Sequence, residues 1–399
     1  MALISGQRIT YGYDNTATTY DGANEALDIS GALSTLNPYD YPLLAALGQD
    51  GFTATQVKHE WLEDEHAGMS SSSTDTDLND ATEDSTVITL ATAGDYLKFR
   101  GGTIASASAD IVRIYSTAGE ELAPVTATAD NTITVTRGAF SGSNAVDHTG
   151  YTKYIVVVGR FQPQGLTTVG ASITTIKANK YNYTQIYQDS YKASATQAAT
   201  AKFTAQDDRA YEFSKMMVRA STLLERSWLF GTRTAHSSSS GGTAAGIRET
   251  ITTNVYAKAG AALTQTHLED ALVDIAQAGG DGSYLAVVGS IQQRRINTFL
   301  DGYRQASYTD ETLGNFVTRY RTRFGDMDLM WDRNMPDDEV LIITRSNCKM
   351  GWLRPLGQSP IPVTSRESQT WEVTGEFTFE TRLEKTHAQI TGLATTGLY

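Results

Sequence analysis

The sequence predicts an α+β fold in which an all-β module precedes a long helix and an α/β unit follows it. Three observations lead to this fold class. The first is an uninterrupted amphipathic run from Thr204 to Gly231. The second is a series of short β-branched runs between residues 86 and 165, and the third is an alternation of helix and buried-strand patterns between residues 259 and 344. A chain of 399 residues has room for several such regions.

Composition excludes several classes of function. The net charge is −13 and the sequence pI is about 4.9, whereas a dedicated nucleic-acid-binding protein needs clustered cations. The single cysteine, Cys348, leaves no internal disulfide and no second thiolate for a metal site. No apolar run reaches the roughly 18 residues that a membrane span needs, and the first residues lack the pattern of a secretory signal. We therefore expect no membrane partner.

Residues 1 to about 55 form an N-terminal arm in this prediction. They show little periodicity, and their one apolar patch covers residues 41–47. A segment of this composition cannot bury enough apolar area to fold alone. We expect the arm to be disordered or to lie along another chain.

The β module is predicted from its turn spacing. Residues 57–65 can form a strand with Val57, His59 and Trp61 on one side, and residues 70–80 read as a polar, flexible stretch. Short β-branched runs then recur between turns rich in Gly, Asp and Asn, which predicts a small barrel or sandwich at about 84–163. The runs are residues 87–90, 111–115, 132–135 and 154–158. Alternation at residues 186–191 predicts a further strand in the polar segment 172–196.

The long helix has a start signal and a stop signal in the sequence. Thr204 can cap its first turn, with Asp207 three residues later, and Gly231 is suited to a positive φ just after the last turn. At 1.5 Å per residue the helix would be roughly 39 Å long. Its apolar face is predicted to comprise Phe213, Met217, Ala220, Leu224 and Trp228.

The region after the long helix alternates between loop, strand and helix. We expect a flexible loop at 236–242, a strand at 247–256, and a helix opened by a capping box at Thr266 and ended by Gly279. Leu268, Leu272 and Ile275 share a face of that helix.

The second half of this region contains the buried strands. Residues 284–288 are apolar throughout, as a strand buried on both faces must be. Further elements are predicted as a helix at 291–301, a strand with Met327, Leu329 and Trp331 on one face, and a buried strand at 339–344. The tail from Trp371 to Leu383 alternates, so it should form a strand packed on the long helix.

Motifs for catalysis or metal binding are weak. His59, Glu60 and the run Glu63 to His66 do not have zinc-helix spacing, so a solvated or inter-subunit charged strand is favoured. There is no phosphate-binding glycine loop and no nucleophile elbow, and Cys348 reads as a small buried residue. We predict no enzyme activity and no catalytic, cofactor or metal residues.

Two basic patches leave two interpretations open. They comprise Arg294 with Arg295, and Arg319 with Arg321 and Arg323. The favoured interpretation is a solvated or salt-bridged face. The other is contact with packaged DNA or with an adjacent subunit.

Four stretches carry a resemblance to a known family. They are Asn182–Tyr187, Glu225–Gly231, Trp331–Pro336 ahead of residues 339–344, and the β-module pattern of Gly119-Glu120, Val125-Thr126, Thr134–Gly138 and His148. In their order and spacing these stretches resemble the major capsid proteins of tailed bacteriophages with the Hong Kong 97-type fold. The resemblance covers nearly the whole chain, although the β insertion is far longer than a plain two-stranded loop.

The resemblance implies a division of the chain into domains. Residues 1–55 would be the N-terminal arm, 56–204 an extended loop carrying the β insertion (about 84–163), and 259–344 the axial domain. Residues 205–258, with the spine helix, and 345–399, with the C-terminal strands, would form the peripheral domain.

The function implied is assembly of hexamers and pentamers into an icosahedral head around double-stranded DNA, within the host cytoplasm. The chain's partners would be other copies of itself, the portal protein, a scaffold or cement protein, and packaged DNA bound without sequence specificity. The acidic charge fits, because a strongly basic inner wall would hold DNA tightly. Candidate inter-subunit contacts are Lys58, Glu60, Trp61, Glu63, Asp64, Arg294, Arg295, Arg319 and Arg321. The alternatives are a β-rich phage tail or fibre subunit and, third, a hydrolase with a β accessory module.

Overall fold

The computed structural model describes residues 39–49, 51–66, 68–73, 75, 78, 85–102, 108–140, 145–165, 175, 177–199, 208–299, 318–362 and 367–396. In these ranges the helices are α1 (Pro42–Leu47), α2 (Ala195–Ala199), α3 (Asp208–Phe230), α4 (Ile247–Thr250), α5 (Gln265–Gln277) and α6 (Ser290–Thr298). The first nine strands are β1 (Phe52–Thr53), β2 (Lys58–Glu63), β3 (Ser70–Ser73), β4 (Ser85–Thr89), β5 (Ala109–Ser116), β6 (Gly119–Ala129), β7 (Thr132–Thr136), β8 (Lys153–Phe161) and β9 (Ala178–Tyr183). The remaining strands are β10 (Gln185–Ser194), β11 (Val255–Ala257), β12 (Ser283–Val288), β13 (Arg319–Thr322), β14 (Gly325–Trp331), β15 (Val340–Thr344), β16 (Cys348–Ile361), β17 (Ser368–Thr381) and β18 (Ala388–Thr391). Among the described helices none has the length and apolar content to cross a membrane.

The chain divides into two compact units, one of residues 61–180 and one of residues 1–60 with 181–399. The unit 61–180 holds a sheet in the order β3-β8-β5-β6-β7-β4, with all five neighbouring pairs antiparallel. An antiparallel bridge between Ser73 and Leu90 joins the two edge strands, so the sheet closes into a barrel. The four predicted β-branched runs lie in β4, β5, β7 and β8, except that Leu90 follows β4 and forms the bridge.

The barrel has its own apolar core. Ile88, Val112, Ile114, Val125 and Ile155 are among its fully buried side chains. One expectation was wrong here, because Ser70–Ser73 is a strand paired with β8 and not a flexible stretch. A run of four serines has no hydrophobic alternation from which a strand could be predicted.

The long helix α3 packs on a four-stranded sheet in the other unit, with the order β1-β16-β17-β10. The Trp228 ring stacks on the ring of Phe379, with centroids 5.2 Å apart and planes 7° from parallel. This confirms that the C-terminal strand packs on the helix. It also confirms the predicted strand at 186–191, which is part of β10 and pairs with β17.

The helix face and the helix end differ in detail from the prediction. Ala220, Leu224 and Trp228 are buried, but near the N-terminal end Met216 is the buried methionine and Met217 is half-buried. The predicted cap at Thr204 and Asp207 lies outside the described residues.

Gly231 does not have the positive φ that was predicted for it. It is instead required by close approach, because a Cβ at this position would collide with the carbonyl oxygens of Ser227 and Ala244. The amide of Gly246 donates to the carbonyl of Gly231 at 2.7 Å, which holds the two segments together.

A six-stranded mixed sheet, β11-β18-β15-β12-β14-β13, forms the α/β part of this unit. Its central strand β12 is buried on both faces as predicted: Leu285 and Val287 pack in the core of α3, while Tyr284, Ala286 and Val288 pack in the core of α5. The sheet includes β11 and β18, which lie outside residues 259–344.

Two local predictions in this region were wrong. Residues 247–256 are not one strand, because Ile247–Thr250 is a helical turn and the strand begins only at Val255. The cap of α5 is Thr264, whose hydroxyl accepts the His267 amide at 3.4 Å, and not Thr266. Leu268, Leu272 and Ile275 are buried as expected, and Gly279 follows the helix with φ +89°.

The end of the N-terminal arm packs on its own protomer. Leu43 and Leu44 of α1 are fully buried in the core that contains Leu224 and Trp228. Strand β1 then pairs with β16 in parallel. This part of the arm therefore does not need another chain to become ordered, in contrast to the expectation for residues 1–55. Residues 1–38 lie outside the described ranges.

Candidate functional site

Lys58 and Glu60 lie on β2, where the structure pairs them with each other. Their side chains form an ion pair, and this hydrogen bond raises the pKa of Lys58 above its ordinary value. The Lys58 ammonium lies 4.4 Å from the ring centroid of Tyr181, and the guanidinium of Arg233 lies 4.5 Å from the same ring. Tyr181 thus contacts two cations, a cation–π arrangement that orders both side chains at the surface.

The other candidates on this strand belong to the unit 61–180. The indole of Trp61 donates to Glu63 at 2.8 Å. Asp64 accepts a hydrogen bond from the Thr175 hydroxyl at 2.8 Å. The strand is therefore a charged surface strand, and within the described residues no group of three or more His, Cys, Asp or Glu has metal-binding geometry.

Arg294 and Arg295 have different environments although they are neighbours on α6. Arg294 is exposed, whereas Arg295 is only 5% exposed and donates to the carbonyl of Thr396 at 2.7 Å. Arg295 therefore stabilises the packing of the C-terminal segment on α6, and only Arg294 is available to a partner.

Arg319 and Arg321 project from the edge strand β13 and pair with the next strand. Arg319 lies 2.6 Å from Asp328 and Arg321 lies 3.2 Å from Asp326. Arg345 also reaches Asp328, at 2.9 Å. The hydrogen bond from Arg319 lowers the pKa of Asp328. The sequence favoured a solvated or salt-bridged face, and the structure shows salt bridges for Arg319 and Arg321.

A pair of buried carboxyl groups lies where α1, α3 and the segment after β14 meet. Glu225 is fully buried on α3, and Asp332 is fully buried just after β14. Glu225 accepts the Leu44 amide at 2.9 Å and the Asn334 side-chain amide at 2.7 Å. The Asn334 side chain also donates to the carbonyl of Asp40 at 2.9 Å.

Burial raises the pKa of Glu225 to about 8, with the Asp332 charge adding to the effect and the two amide donors opposing it. Burial likewise raises the pKa of Asp332. The sequence analysis named Glu225 and Asp332 only as members of longer stretches. The sequence signal for a buried acidic residue was Glu225 itself, which lies beside Leu224 on the apolar face of a helix.

A second buried polar cluster lies in the barrel. Arg137 donates to Glu121 at 2.8 Å and also to the carbonyl of Val146. His148 contacts the Ser116 hydroxyl at 2.7 Å and lies 3.6 Å from Glu121. These contacts join the β5–β6 turn to the segment before β8. Arg137 and His148, which are both part of the β-module pattern in the sequence, are therefore buried in one cluster.

Cys348 is buried, and burial raises the pKa of its thiol to about 12. A thiol in this state is not a nucleophile at neutral pH. This agrees with the prediction of a small buried residue.

The fold is similar to that of a solved virus capsid protein. The capsid protein of cyanophage A-1(L) has a similar structure, with a TM-score of 0.55 and 9% sequence identity over 94% of this chain and 98% of that chain. The capsid of the native GTA particle gives a TM-score of 0.49 and 10% identity over 96% of this chain and 100% of that chain. The curated proteins contain no match.

The family is shown by sequence. The model of the SU10 major capsid protein family matches residues 10–394, so the chain belongs to this family. It is a major capsid protein, a structural subunit of a phage head. Its surfaces are therefore those of a subunit that associates with other copies of itself.

Proposed function

We propose that this subunit assembles into hexamers and pentamers of an icosahedral head that encloses double-stranded DNA, with the Hong Kong 97-type fold. The observation that carries the proposal is the family match over residues 10–394. It is supported by the arrangement of α3 between a four-stranded sheet and a mixed α/β sheet.

The proposed domains follow from this fold. Helix α3 is the spine of a peripheral domain formed by residues 205–258 and 345–399, and residues 259–344 form the axial domain. Residues 56–204 are an extended loop that carries the β insertion, about 84–163. Residues 1–55 are an arm, of which Leu43 and Leu44 already belong to the protomer core.

In this proposal the β barrel stands on the outer surface and bridges adjacent capsomers. Support comes from its closed sheet and separate core, which make it a module that can be inserted without disturbing a host fold. Strand β3 takes part in that sheet, so an excised fragment of residues 61–180 should unfold cooperatively and be more stable than a fragment of residues 84–163. In a capsid map, density for the barrel pointing inward would contradict the bridging role.

Inter-subunit contacts are proposed for Lys58, Glu60, Trp61, Glu63, Asp64, Arg294, Arg295, Arg319 and Arg321. Arg319 and Arg321 already have acidic partners in the protomer, so they would present a fixed pattern of charge to a neighbour, whereas exposed Arg294 would contact the neighbour directly. Arg295 is buried, so its proposed role is indirect. Its hydrogen bond to the Thr396 carbonyl holds the C-terminal segment in place.

The further partners are a portal protein, a scaffold or cement protein, and DNA bound without sequence specificity. Assembly is proposed to take place in the host cytoplasm, and no catalytic activity is expected of the subunit. Deleting residues 1–38 should leave a folded protomer that assembles poorly, because Leu43 and Leu44 remain in place. Unimpaired shell formation by that truncated protein would contradict the proposed role of the arm.

The test of the main proposal is negative-stain microscopy of the purified full-length protein. Closed shells or capsomers with five-fold and six-fold outlines are expected. Tubes would support the tail-subunit alternative, and particles that stay monomeric at high concentration would contradict both.

A further inference from the structure

We propose that Glu225 and Asp332 form a proton-dependent clasp that holds α1 on α3 and releases it when the shared proton is lost. The clasp lies at α1, whose residues Leu43 and Leu44 belong to the protomer core.

Hydrogen bonds bring the two buried carboxyl groups together on Asn334. Both oxygens of Glu225 accept hydrogen bonds from neutral amides, those of Leu44 and Asn334. Asp332 accepts the Asn334 backbone amide through Oδ1 at 2.7 Å, while its buried Oδ2 has no donor in the described residues. Both carboxyl groups therefore bind the same residue, Asn334, one through its side-chain amide and the other through its backbone amide. Two buried carboxyl groups held on one residue repel each other when both are ionised, so one proton on the pair stabilises the site.

The surrounding charges do not neutralise the pair. From the segment before α1, Asp40 adds a further negative charge near Asp332. From α3, Arg226 donates to the oxygen of Asn334 at 2.9 Å, so its cation reaches the pair only through a neutral amide. A pair of like charges in a buried site cannot ionise fully without repulsion. The raised pKa of Glu225, about 8, agrees with this arrangement.

Helix α1 depends on this cluster for its polar anchors. Glu225 accepts the amide of Leu44, near the start of the helix, and Asn334 holds the carbonyl of Asp40 just before it. The helix has six residues, too few to be stable without tertiary contacts. Full ionisation of the pair would push apart the two side chains that position Asn334 and Leu44. The expected result is detachment of α1 while α3 and its sheet stay folded.

The test compares hydrogen exchange of α1 at pH 7 and pH 9, with rates corrected for intrinsic exchange, in the full-length protein. Between these values the protonated fraction of a group with a pKa of about 8 falls from about nine tenths to about one tenth. Protection of the α1 amides in the wild type should therefore fall about ten-fold. The Val157 amide, which donates to the Met69 carbonyl at 2.8 Å in the unit 61–180, is the internal control and should not change.

The decisive variant is Asp332→Asn. An asparagine keeps the oxygen that accepts the Asn334 amide and offers an N–H to Glu225 in place of the shared proton, which favours the ionised form of Glu225 at both pH values without like-charge repulsion. Its α1 protection should be the same at pH 7 and pH 9. The proposal is overturned if the wild type shows no loss between the two pH values, or if Asp332→Asn loses as much protection as the wild type.

A second variant covers the case in which Asp332→Asn does not fold. Glu225→Gln can still donate to Asp332, but it has one oxygen for the two donors Leu44 and Asn334. It should show weaker protection of α1 at pH 7 and no further loss at pH 9. A ten-fold loss in this variant would also overturn the clasp.

Discussion

Two buried glutamates in this protein have opposite kinds of partner. Glu121, inside the barrel, faces the guanidinium of Arg137, and the two side chains are 0% and 2% exposed. Glu225, under α1, faces a second carboxyl group, Asp332. Burial is therefore not enough to say what an acidic residue does. An opposite charge makes a buried carboxyl a structural link, and a like charge makes it sensitive to pH.

The largest effect is expected from adding a buried carboxylate with no partner at all. Leu224→Asp places one next to Glu225, at a position that is 1% exposed. Loss of the leucine and burial of the charge together should cost about 5 kcal/mol or more. Chemical denaturation of the purified protein measures this. Met217→Asp, at the half-buried end of the same face, should lower the free energy of unfolding much less. An equal loss in the two variants would show that burial does not determine the cost.

The next prediction removes the opposite charge from the barrel site. Arg137→Met leaves Glu121 buried and uncompensated, and should lower the free energy of unfolding of the barrel by about 3–5 kcal/mol. Hydrogen exchange in β5 and β6 reports this unit. The matched control is Arg113→Met, which breaks an exposed pair with Glu120 on the same strands and should cost less than about 1 kcal/mol. Similar losses in the two variants would contradict the comparison.

The third prediction is a pH dependence of the unit that contains α3. A folded-state pKa of about 8 for Glu225, above its ordinary 4.5, means that the native state binds more protons, so stability falls as pH rises toward 8. The pKa of buried His387 is lowered from its ordinary 6.5 to about 4, so its contribution makes stability rise with pH, but only below about 6.5. The window from pH 6.5 to 9 lies above the range in which His387 acts, so it reports the Glu225–Asp332 pair, and the expected loss is at most about 2 kcal/mol.

The measurement is denaturant unfolding of the wild type and of Glu225→Gln across that window. Glu225→Gln should be less stable than the wild type at pH 6.5, because one of the two amide donors loses its acceptor. Its free energy of unfolding should then stay constant from pH 6.5 to 9. A wild-type profile that is flat or rises through this window would contradict the assignment of the pKa.

The smallest effect is expected at the edge of the α/β sheet. Arg321→Gln removes an exposed ion pair with Asp326, in which the arginine side chain is 72% exposed. Such pairs contribute roughly 0–1 kcal/mol, so stability should hardly change. Shell formation scored by microscopy should fall if Arg321 contacts a neighbouring subunit. A variant that assembles as the wild type does would remove Arg321 from the proposed contacts.

Periodicity predicted the elements, and it failed wherever a distant contact decides the structure. The long helix, the doubly buried strand at 284–288 and the alternating C-terminal strand all show patterns that repeat along the chain. The apolar patch at 41–47 is too short for a period, so its burial against Leu224 and Trp228 could not be seen. Gly231 could be read as a helix-ending glycine, but its contact with Ala244 is a tertiary feature.

The candidate site divides in the same way. Sequence located the charged strand and the basic patches, because charge is visible in composition. It did not find the Glu225–Asp332 pair, whose members are more than one hundred residues apart, and it did not separate buried Arg295 from exposed Arg294. Partners across such separations are not encoded in local spacing.

The bridge between Ser73 and Leu90 has a consequence for a protein made in many copies at high local concentration. An open sheet would present two rows of unpaired backbone groups to other newly made chains, which is a route to aggregates. Here the Ala91 amide donates to the Ser72 carbonyl at 2.9 Å and the Ser73 hydroxyl to the Thr89 carbonyl at 2.8 Å, so the two edges satisfy each other. At the barrel, crowded subunits would then meet through side-chain surfaces, and such contacts can dissociate. New strand pairs, which are hard to undo, would not form there.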